Sequence, residues 1–210
     1  AAADRFSPDA YLTACKRAVE TGDSQRVQTL VKEAKNLLAE QAPSLPGEVI
    51  LYAYTDGHRS IAKDLITQCT PEQIAAAPPK LLRWAAEKLD FQTAVDLVDK
   101  GAQPGDEAAG ILRALTGQRQ EWMAEHLLER GMPVEPDNYA ALYACVSNQA
   151  PGTAKLLLDH GMDLEKYKAW AEYRPKGEGY AETMEELAAY WSEPRNSPRP
   201  EDSPMGGMSL

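Results

Sequence analysis

Residues 124–132 read Ala-Glu-His-Leu-Leu-Glu-Arg-Gly-Met, and residues 154–162, thirty positions later, read Ala-Lys-Leu-Leu-Leu-Asp-His-Gly-Met. An earlier copy at residues 94–102 reads Ala-Val-Asp-Leu-Val-Asp-Lys-Gly-Ala. The apolar residues three and four positions after each alanine share one helix face, and the glycine suits the left-handed residue that closes a helix. A period of this size is typical of helical repeats, in which each unit buries its apolar face against its copies. The recurrence therefore predicts an all-α solenoid.

Two further copies precede these three. The residue at the position of the first alanine serves as an anchor, and the five anchors are Val27, Ala62, Ala94, Ala124 and Ala154, separated by 35, 32, 30 and 30 residues. Nine residues before four of the anchors stands a small residue: Ala18, Ala53, Ala85 and Cys145. In the fourth copy Ala114 comes one residue early, which indicates an insertion near residues 117–119. Each unit is thus predicted to be a helix, a short turn and a second helix.

The predicted repeats lie near residues 10–40, 47–70, 79–104, 108–134 and 138–165, and together with a cap over 166–191 they make one domain, 1–191. Gly101, Gly131 and Gly161 are expected in the left-handed conformation after second helices. Residues 41–47 are expected to form the first link. The cap is predicted to hold a short helix over 167–173 and a closing helix over 180–191, with Trp170, Tyr173, Tyr180, Tyr190 and Trp191 covering the last repeat. Residues 192–210 are rich in Pro, Ser and Gly and are predicted to be a flexible tail.

The repeats resemble the ankyrin-repeat family. Residues 57–62, Gly-His-Arg-Ser-Ile-Ala, match the centre of its motif, and residues 156–161, Leu-Leu-Leu-Asp-His-Gly, match the closing half. The likeness covers roughly residues 10–165 and implies an ankyrin-like solenoid of about five helix-turn-helix units with a C-terminal capping helix. No copy contains the family's Thr-Pro-Leu-His, whose side chains tie neighbouring repeats together. A different all-helical solenoid therefore stays open.

Composition restricts the class of partner. The chain has a formal net charge of −10 and a pI near 4.9, which argues against nucleic-acid and anionic-membrane binding and favours a basic protein or peptide. A purely solubilising role of the acidity is the alternative. No apolar run is long enough to span a bilayer, and the first residues lack the pattern of a signal peptide. The odd, widely spaced Cys15, Cys69 and Cys145 are expected to be buried reduced thiols, as in a cytoplasmic or nuclear protein.

No motif predicts catalysis, a cofactor or a metal site. His58, His126 and His160 lack ligand spacing, and the chain has no nucleophile elbow, phosphate-binding glycine loop or HExxH. Carboxylate pairs such as Glu185 and Glu186 are interpreted as solvated helix faces. We therefore expect a protein that is not an enzyme.

The resemblance places partner binding on a concave face, built from the carboxyl ends of first helices and the turns before them. The candidate residues are Glu20, Thr21, Thr55, Asp56, Glu87, Lys88, Asp106, Glu107, Glu135, Asp137, Ser147 and Asn148, with Tyr54, Trp84, Tyr139 and Tyr143 as aromatic anchors. Acidic residues predominate, so we expect an acidic groove that attracts a basic segment. Ser197 and Ser203 each precede a proline and are possible phosphorylation sites.

These observations predict a protein-interaction module that acts as an adaptor, an escort chaperone or an inhibitor and is a monomer when free. Two alternatives remain at this point. The chain could be the recognition domain of a larger enzyme or receptor, or it could be a host-interaction factor directed against a foreign target.

Overall fold

The computed structural model describes residues 7–38, 43–88, 90–117, 120–134 and 139–194. Within these ranges the chain forms thirteen α-helices and a 3-10 turn at Gly105–Glu107, and no residue is in a strand. The all-α prediction is confirmed. Residues 192–194 are the only part of the predicted tail that is described, so its expected flexibility and both candidate phosphoserines, Ser197 and Ser203, lie outside the described residues.

The helices follow the predicted helix-turn-helix order with one addition. They are α1 (Pro8–Glu20), α2 (Ser24–Leu38), α3 (Leu45–Thr55), α4 (Arg59–Gln68), α5 (Pro71–Ala75), α6 (Lys80–Glu87), α7 (Phe91–Asp99), α8 (Ala108–Ala114), α9 (Glu121–Glu129), α10 (Ala140–Ser147), α11 (Pro151–Asp159), α12 (Leu164–Ala171) and α13 (Tyr180–Trp191). The chain divides into two compact units, Ala1–Glu107 and Ala108–Leu210. The domain predicted over 1–191 spans both.

Each unit is built from helix hairpins that contact one another through equivalent helices. In the first unit α1 packs on α2, α3 on α4 and α6 on α7, while the first helices meet in the order α1, α3, α6 and α4 meets α7. In the second unit α10 packs on α11, α8 contacts α10, and α9 contacts α11. Helix α13 contacts both α10 and α11. It thereby covers the last hairpin, and its bounds are those predicted for the closing helix.

The repeat signature forms the core of both units. All five anchors are fully buried, and so is the leucine three residues after each anchor: Leu30, Leu65, Leu97, Leu127 and Leu157, none of them more than 5% exposed. The small residues Ala18, Ala53, Ala85 and Cys145 are buried as well. A residue of limited volume there lets the two helices of a hairpin approach closely.

Glycines close the second helices as expected. Gly101, Gly131 and Gly161 have φ of +104°, +87° and +113°. In each case the following amide donates to the carbonyl five residues earlier, as in the 2.9 Å bond from Ala102 to Leu97. This is the Schellman arrangement, which satisfies helix-end carbonyls and favours glycine at the left-handed position.

The connection between the second and third hairpins contains a helix that was not predicted. Thr70 and Gln73 form a capping box at the start of α5, Pro71 occupies the first turn, and Ile74 is fully buried against the unit. The sequence Thr-Pro-Glu-Gln at residues 70–73 is typical of a helix start, with a capping threonine, a proline in the first turn and a glutamine at the third helical position. The first link also ends earlier than predicted, because α3 begins at Leu45 and takes Pro46 into its first turn, where an amide donor is not needed.

Side chains about one repeat apart tie neighbouring hairpins together. The Tyr54 hydroxyl donates to Asp90 Oδ2 at 2.7 Å, and Lys100 Nζ donates to the carbonyls of Ile66, Thr67 and Cys69 at 2.5, 2.9 and 3.3 Å. In the second unit the Tyr190 hydroxyl donates to Asp159 at 2.6 Å. These bonds join the repeats in a chain that lacks the Thr-Pro-Leu-His network.

Candidate partner-binding groove

The first unit carries an open groove across the exposed faces of its three first helices, α1, α3 and α6. Its volume is about 540 Å³, and eight residues line it: Leu12, Lys16, Glu48, Leu51, Tyr52, Thr55, Lys80 and Trp84. Each of these residues lies about 14, 10 or 7 positions before the anchor of its own repeat, so the three first helices contribute equivalent positions. The groove therefore arises because the same face of each first helix is repeated side by side.

The middle of the groove is apolar and aromatic. Leu12, Leu51, Tyr52 and Trp84 are all half-buried, so each offers part of its side chain to a ligand. Lys16 Nζ lies 5.2 Å from the Tyr52 ring centroid, and Lys88 Nζ lies 4.7 Å from the Trp84 ring centroid. Cations over the ring faces favour a fixed ring orientation, which reduces the entropy lost on binding.

An acidic edge lies at the carboxyl ends of the same helices. The Tyr52 hydroxyl donates to Glu20 Oε1 at 2.6 Å, and this hydrogen bond to a carboxylate raises the pKa of Tyr52 to about 12. Asp56, one residue past α3, is exposed, with its Oδ2 atom 3.4 Å from Nε2 of His58. Thr55 and Lys88 complete this edge, and the side chains of all four edge residues, Glu20, Thr55, Asp56 and Lys88, are exposed.

Two of the predicted carboxylates share one arginine, which offsets one of their two negative charges. Arg83 Nε lies 2.8 Å from Glu87 Oε1, and Arg83 Nη1 lies 2.6 Å from Glu107 Oε2. These hydrogen bonds raise the pKa of Arg83 further above its ordinary value, with the bond to Glu107 contributing most. The excess of negative charge on this face is therefore smaller than expected, because Arg83, four residues before Glu87, was not among the predicted residues of the face.

Two of the expected aromatic anchors are buried. Tyr54 is 3% exposed, and its hydroxyl is held by Asp90. Tyr139 is 7% exposed and lies 6.2 Å from Tyr167 and 5.9 Å from Trp170, ring centroid to ring centroid. Buried rings cannot serve as exposed anchors, so both are left out of the proposed surface.

The remaining candidates are distributed between the two units. Thr21 and Asp106 are exposed in the first unit, while Tyr143, Ser147 and Asn148 belong to α10 and its end in the second. The Tyr143 hydroxyl donates to the Pro175 carbonyl at 2.6 Å, and Asn148 Nδ2 donates to Thr116 Oγ1 at 3.1 Å. Both contacts stabilise the second unit itself. Glu135 and Asp137 lie outside the described residues.

Sequence reasoning missed several lining residues, since the candidates did not include Leu12, Lys16, Glu48, Leu51, Tyr52 and Lys80. The available signal was the four-residue spacing of residues 12, 16 and 20, and of 48 and 52, which places side chains on one helix face. The missed lysines change the expected chemistry, since the groove has cations on its apolar floor and carboxylates at one edge.

Possible metal ligands and cysteine thiols are distributed across the described residues without forming a metal cluster. Within them no group of three His, Cys, Asp or Glu side chains could hold a metal ion. Burial raises the pKa of the Cys15 thiol to about 11 and that of Cys145 to about 12, so neither is a ready nucleophile. All three cysteines are buried and reduced, as predicted. None of the described helices combines the length and apolarity that a membrane crossing requires.

Comparison of the chain with family models, with curated proteins and with solved structures found no significant match. Evidence for a function therefore comes from the geometry of the groove and from the residues that resemble ankyrin repeats.

Proposed function

We propose that the chain is a protein-interaction module of the ankyrin-like helical-repeat type, and that the groove across α1, α3 and α6 binds a segment of a partner protein. The observation that carries the proposal is the groove itself. Its half-buried aromatic floor is formed by residues that differ between copies, whereas the repeat anchors, one valine and four alanines, are all fully buried. Repeat arrays commonly bind through such a row of first-helix faces, because the core positions are fixed by packing and the exposed ones are free to vary.

The groove fits a segment with a large apolar side chain. That side chain would pack between Leu51, Tyr52 and Trp84, where desolvation of aromatic surface contributes most of the free energy of binding. Tyr and Trp are enriched at binding hot spots because they provide large contact areas with few rotatable bonds.

A basic side chain on the same segment fits the acidic edge. Glu20 and Asp56 lie there. Glu48, which lines the groove from the first turn of α3, forms no ion pair among the described residues. The net charge of −10 adds a long-range attraction for a cationic partner, which raises the association rate more than the affinity. The lysines along the floor exclude a segment that is basic throughout, so we propose an apolar anchor flanked by one or two basic residues.

The proposal is tested by selecting a random dodecapeptide display library on the full chain and measuring the affinities of recovered peptides by fluorescence anisotropy. We expect a recovered class with an aromatic or large aliphatic residue next to Lys or Arg. Trp84→Ala should weaken this class by about thirtyfold, since a central hot spot contributes about 2 kcal/mol. Trp122→Ala, at a 50% exposed Trp of the second unit, is the matched control and should change affinity less than twofold.

A charge-reversal pair examines the acidic edge separately. Asp56→Lys with Glu87→Lys should weaken the same peptides, and the effect should shrink as salt is raised. Glu33→Lys with Asp64→Lys makes the same change in net charge on the exposed faces of α2 and α4 and serves as control. If both pairs act equally, or if Trp84→Ala leaves all recovered peptides unaffected while the thermal unfolding curve is unchanged, the groove is not the binding site.

A further inference from the structure

A second surface with the opposite charge lies in the second unit. Residues 166–176 read Lys-Tyr-Lys-Ala-Trp-Ala-Glu-Tyr-Arg-Pro-Lys and contain four basic residues and one acidic residue, in a chain whose net charge is −10. Lys166, Trp170, Tyr173 and Arg174 are spaced to share one side of α12 and its continuation, and we refer to these four residues as the basic aromatic strip. Local charge of opposite sign to the whole chain calls for a separate explanation.

The strip exposes an aromatic ring almost completely. Tyr173 is 91% exposed, although the cap was predicted to use it to cover the last repeat. Tyr167 and Tyr180 pack in the cap instead, since both rings are buried and their hydroxyl oxygens lie 2.8 Å apart. A fully exposed aromatic ring costs hydration free energy, and burial in a complex recovers it.

The loop that carries Tyr173 is held in place by several contacts. Lys176 Nζ donates to the carbonyls of Ala171, Glu172 and Arg174 at 3.1, 2.7 and 3.3 Å. The Tyr143 hydroxyl donates to the carbonyl of Pro175 at 2.6 Å, and Gln149 Nε2 donates to that of Glu178 at 3.2 Å. A ring displayed on a fixed loop loses little conformational entropy on binding, which is the condition for an efficient anchor.

The cationic groups of the strip are positioned to bind carboxylates. The Arg174 guanidinium stacks on Trp170 with its Cζ 3.7 Å from the ring centroid. Stacking uses the face of the guanidinium, so the N–H donors at its edge remain directed away from the ring. Lys166 is exposed, and neither Lys166 nor Arg174 forms an ion pair among the described residues. Lys168, on the other flank of α12, is paired with Glu165 at 3.1 Å.

We propose that the basic aromatic strip is a docking site for an acidic segment of a partner protein. An apolar side chain of that segment packs on Tyr173 and the edge of Trp170, and its carboxylates pair with Arg174 and Lys166. This site is separate from the groove of the first unit and has the opposite charge preference. A single nucleic-acid strand would also offer anions and rings for stacking, but the net charge of −10 repels a polyanion and only two unpaired cations lie on the strip.

The test uses the full chain and the same random dodecapeptide library, with recovered peptides sorted by their dependence on Tyr173. We expect a class rich in Asp and Glu with at least one large apolar residue, whose affinity falls about tenfold or more in Tyr173→Ala and in Arg174→Glu. Because Tyr173 is 91% exposed, its replacement should leave the thermal unfolding curve unchanged. Lys168→Glu is the charge-matched control and should change affinity less than about threefold.

The two binding sites are distinguished by cross-testing. Trp84→Ala should leave the acidic peptides unaffected, and Tyr173→Ala should leave the groove peptides unaffected. Recovery of no Tyr173-dependent peptide, or of such peptides without acidic residues, would overturn the proposal. So would a twelve-nucleotide oligothymidylate that binds more tightly than the peptides and depends on Tyr173, or self-association of the chain that Tyr173→Ala abolishes.

Discussion

Lys100 stabilises the junction between the second and third hairpins from a position that sequence patterns do not reveal. Its Nζ reaches across to the end of α4 and donates to the carbonyls of Ile66, Thr67 and Cys69 at 2.5, 2.9 and 3.3 Å. The last carbonyls of a helix in general lack amide donors within that helix, so a side-chain donor can satisfy them. A cation at a helix C-terminus is favoured by the helix dipole as well as by the hydrogen bonds. Lys100→Met keeps the aliphatic stem and removes all three donors.

The expected loss follows from the geometry. Each hydrogen bond from a charged donor contributes about 1.5–3 kcal/mol, but only two of these bonds are shorter than 3 Å and Lys100 is half-exposed, so water can replace part of the interaction. We expect Lys100→Met to lower the free energy of unfolding by about 2 kcal/mol. With a urea m-value of about 2 kcal/mol/M, the midpoint of unfolding should fall by about 1 M.

The assay is urea unfolding followed by circular dichroism, with Lys32→Met as control, since Lys32 is exposed on α2 and makes no ion pair among the described residues. The control should change the free energy of unfolding by less than about 0.5 kcal/mol. Lys100→Arg, which retains a cation and donors, should fall between the two. A Lys100→Met midpoint equal to that of the control would show that the three contacts contribute nothing to stability.

Two further predictions concern close packing and pH. Gly47→Ala should lower the free energy of unfolding by about 2 kcal/mol despite the better helix propensity of Ala, because a Cβ on Gly47 would lie 2.5 Å from the Ala77 Cα. Thermal or urea unfolding measures this change. A stabilised variant would contradict the close packing of Gly47 against Ala77. Burial alone would raise the pKa of Asp90, but hydrogen bonds from Tyr54 and Thr93 outweigh it and hold the pKa below its ordinary value. The carboxylate therefore stabilises the fold at pH values above about 4, and this stability is lost as pH falls through the lower folded pKa. Asp90→Asn should be less stable at about pH 7 and should lose less stability than the parent protein as the pH is lowered from about 5. Equal pH dependence in both proteins, measured by urea unfolding, would count against the Tyr54–Asp90 bond.

The hairpin order could be predicted from the sequence because local signals agree with tertiary packing. Gly131 can be predicted to end a helix from local sequence alone, because it adopts a left-handed backbone conformation that is disfavoured for residues with a side chain. The anchor and leucine positions follow the helix period and require only that some neighbour cover them, so Ala124 and Leu127 could be assigned to the core without knowing which helix lies opposite.

The candidate site could be predicted only in part, because it depends on which side chains from different helices meet. Trp84, Thr55 and the acidic edge were expected from the family pattern, whereas the approach of Lys16 to Tyr52 was not. The pairing of Arg83 with Glu107 joins residues 24 positions apart and changes the charge of the predicted face. The first contact depends on how α1 packs against α3 and the second on how the turn at Gly105–Glu107 lies against α6, and no local pattern encodes either.

The helical class, the repeat period, the buried anchors and the turns closed by glycine follow from local sequence, since each depends on a residue and its near neighbours along one helix. Packing between distant segments makes Tyr54 buried while Tyr52 faces the groove, requires a glycine at position 47 against Ala77, and leaves Tyr173 exposed. Those outcomes depend on distances between segments far apart in the chain. They are set when the hairpins stack, because stacking determines which of two adjacent faces is covered.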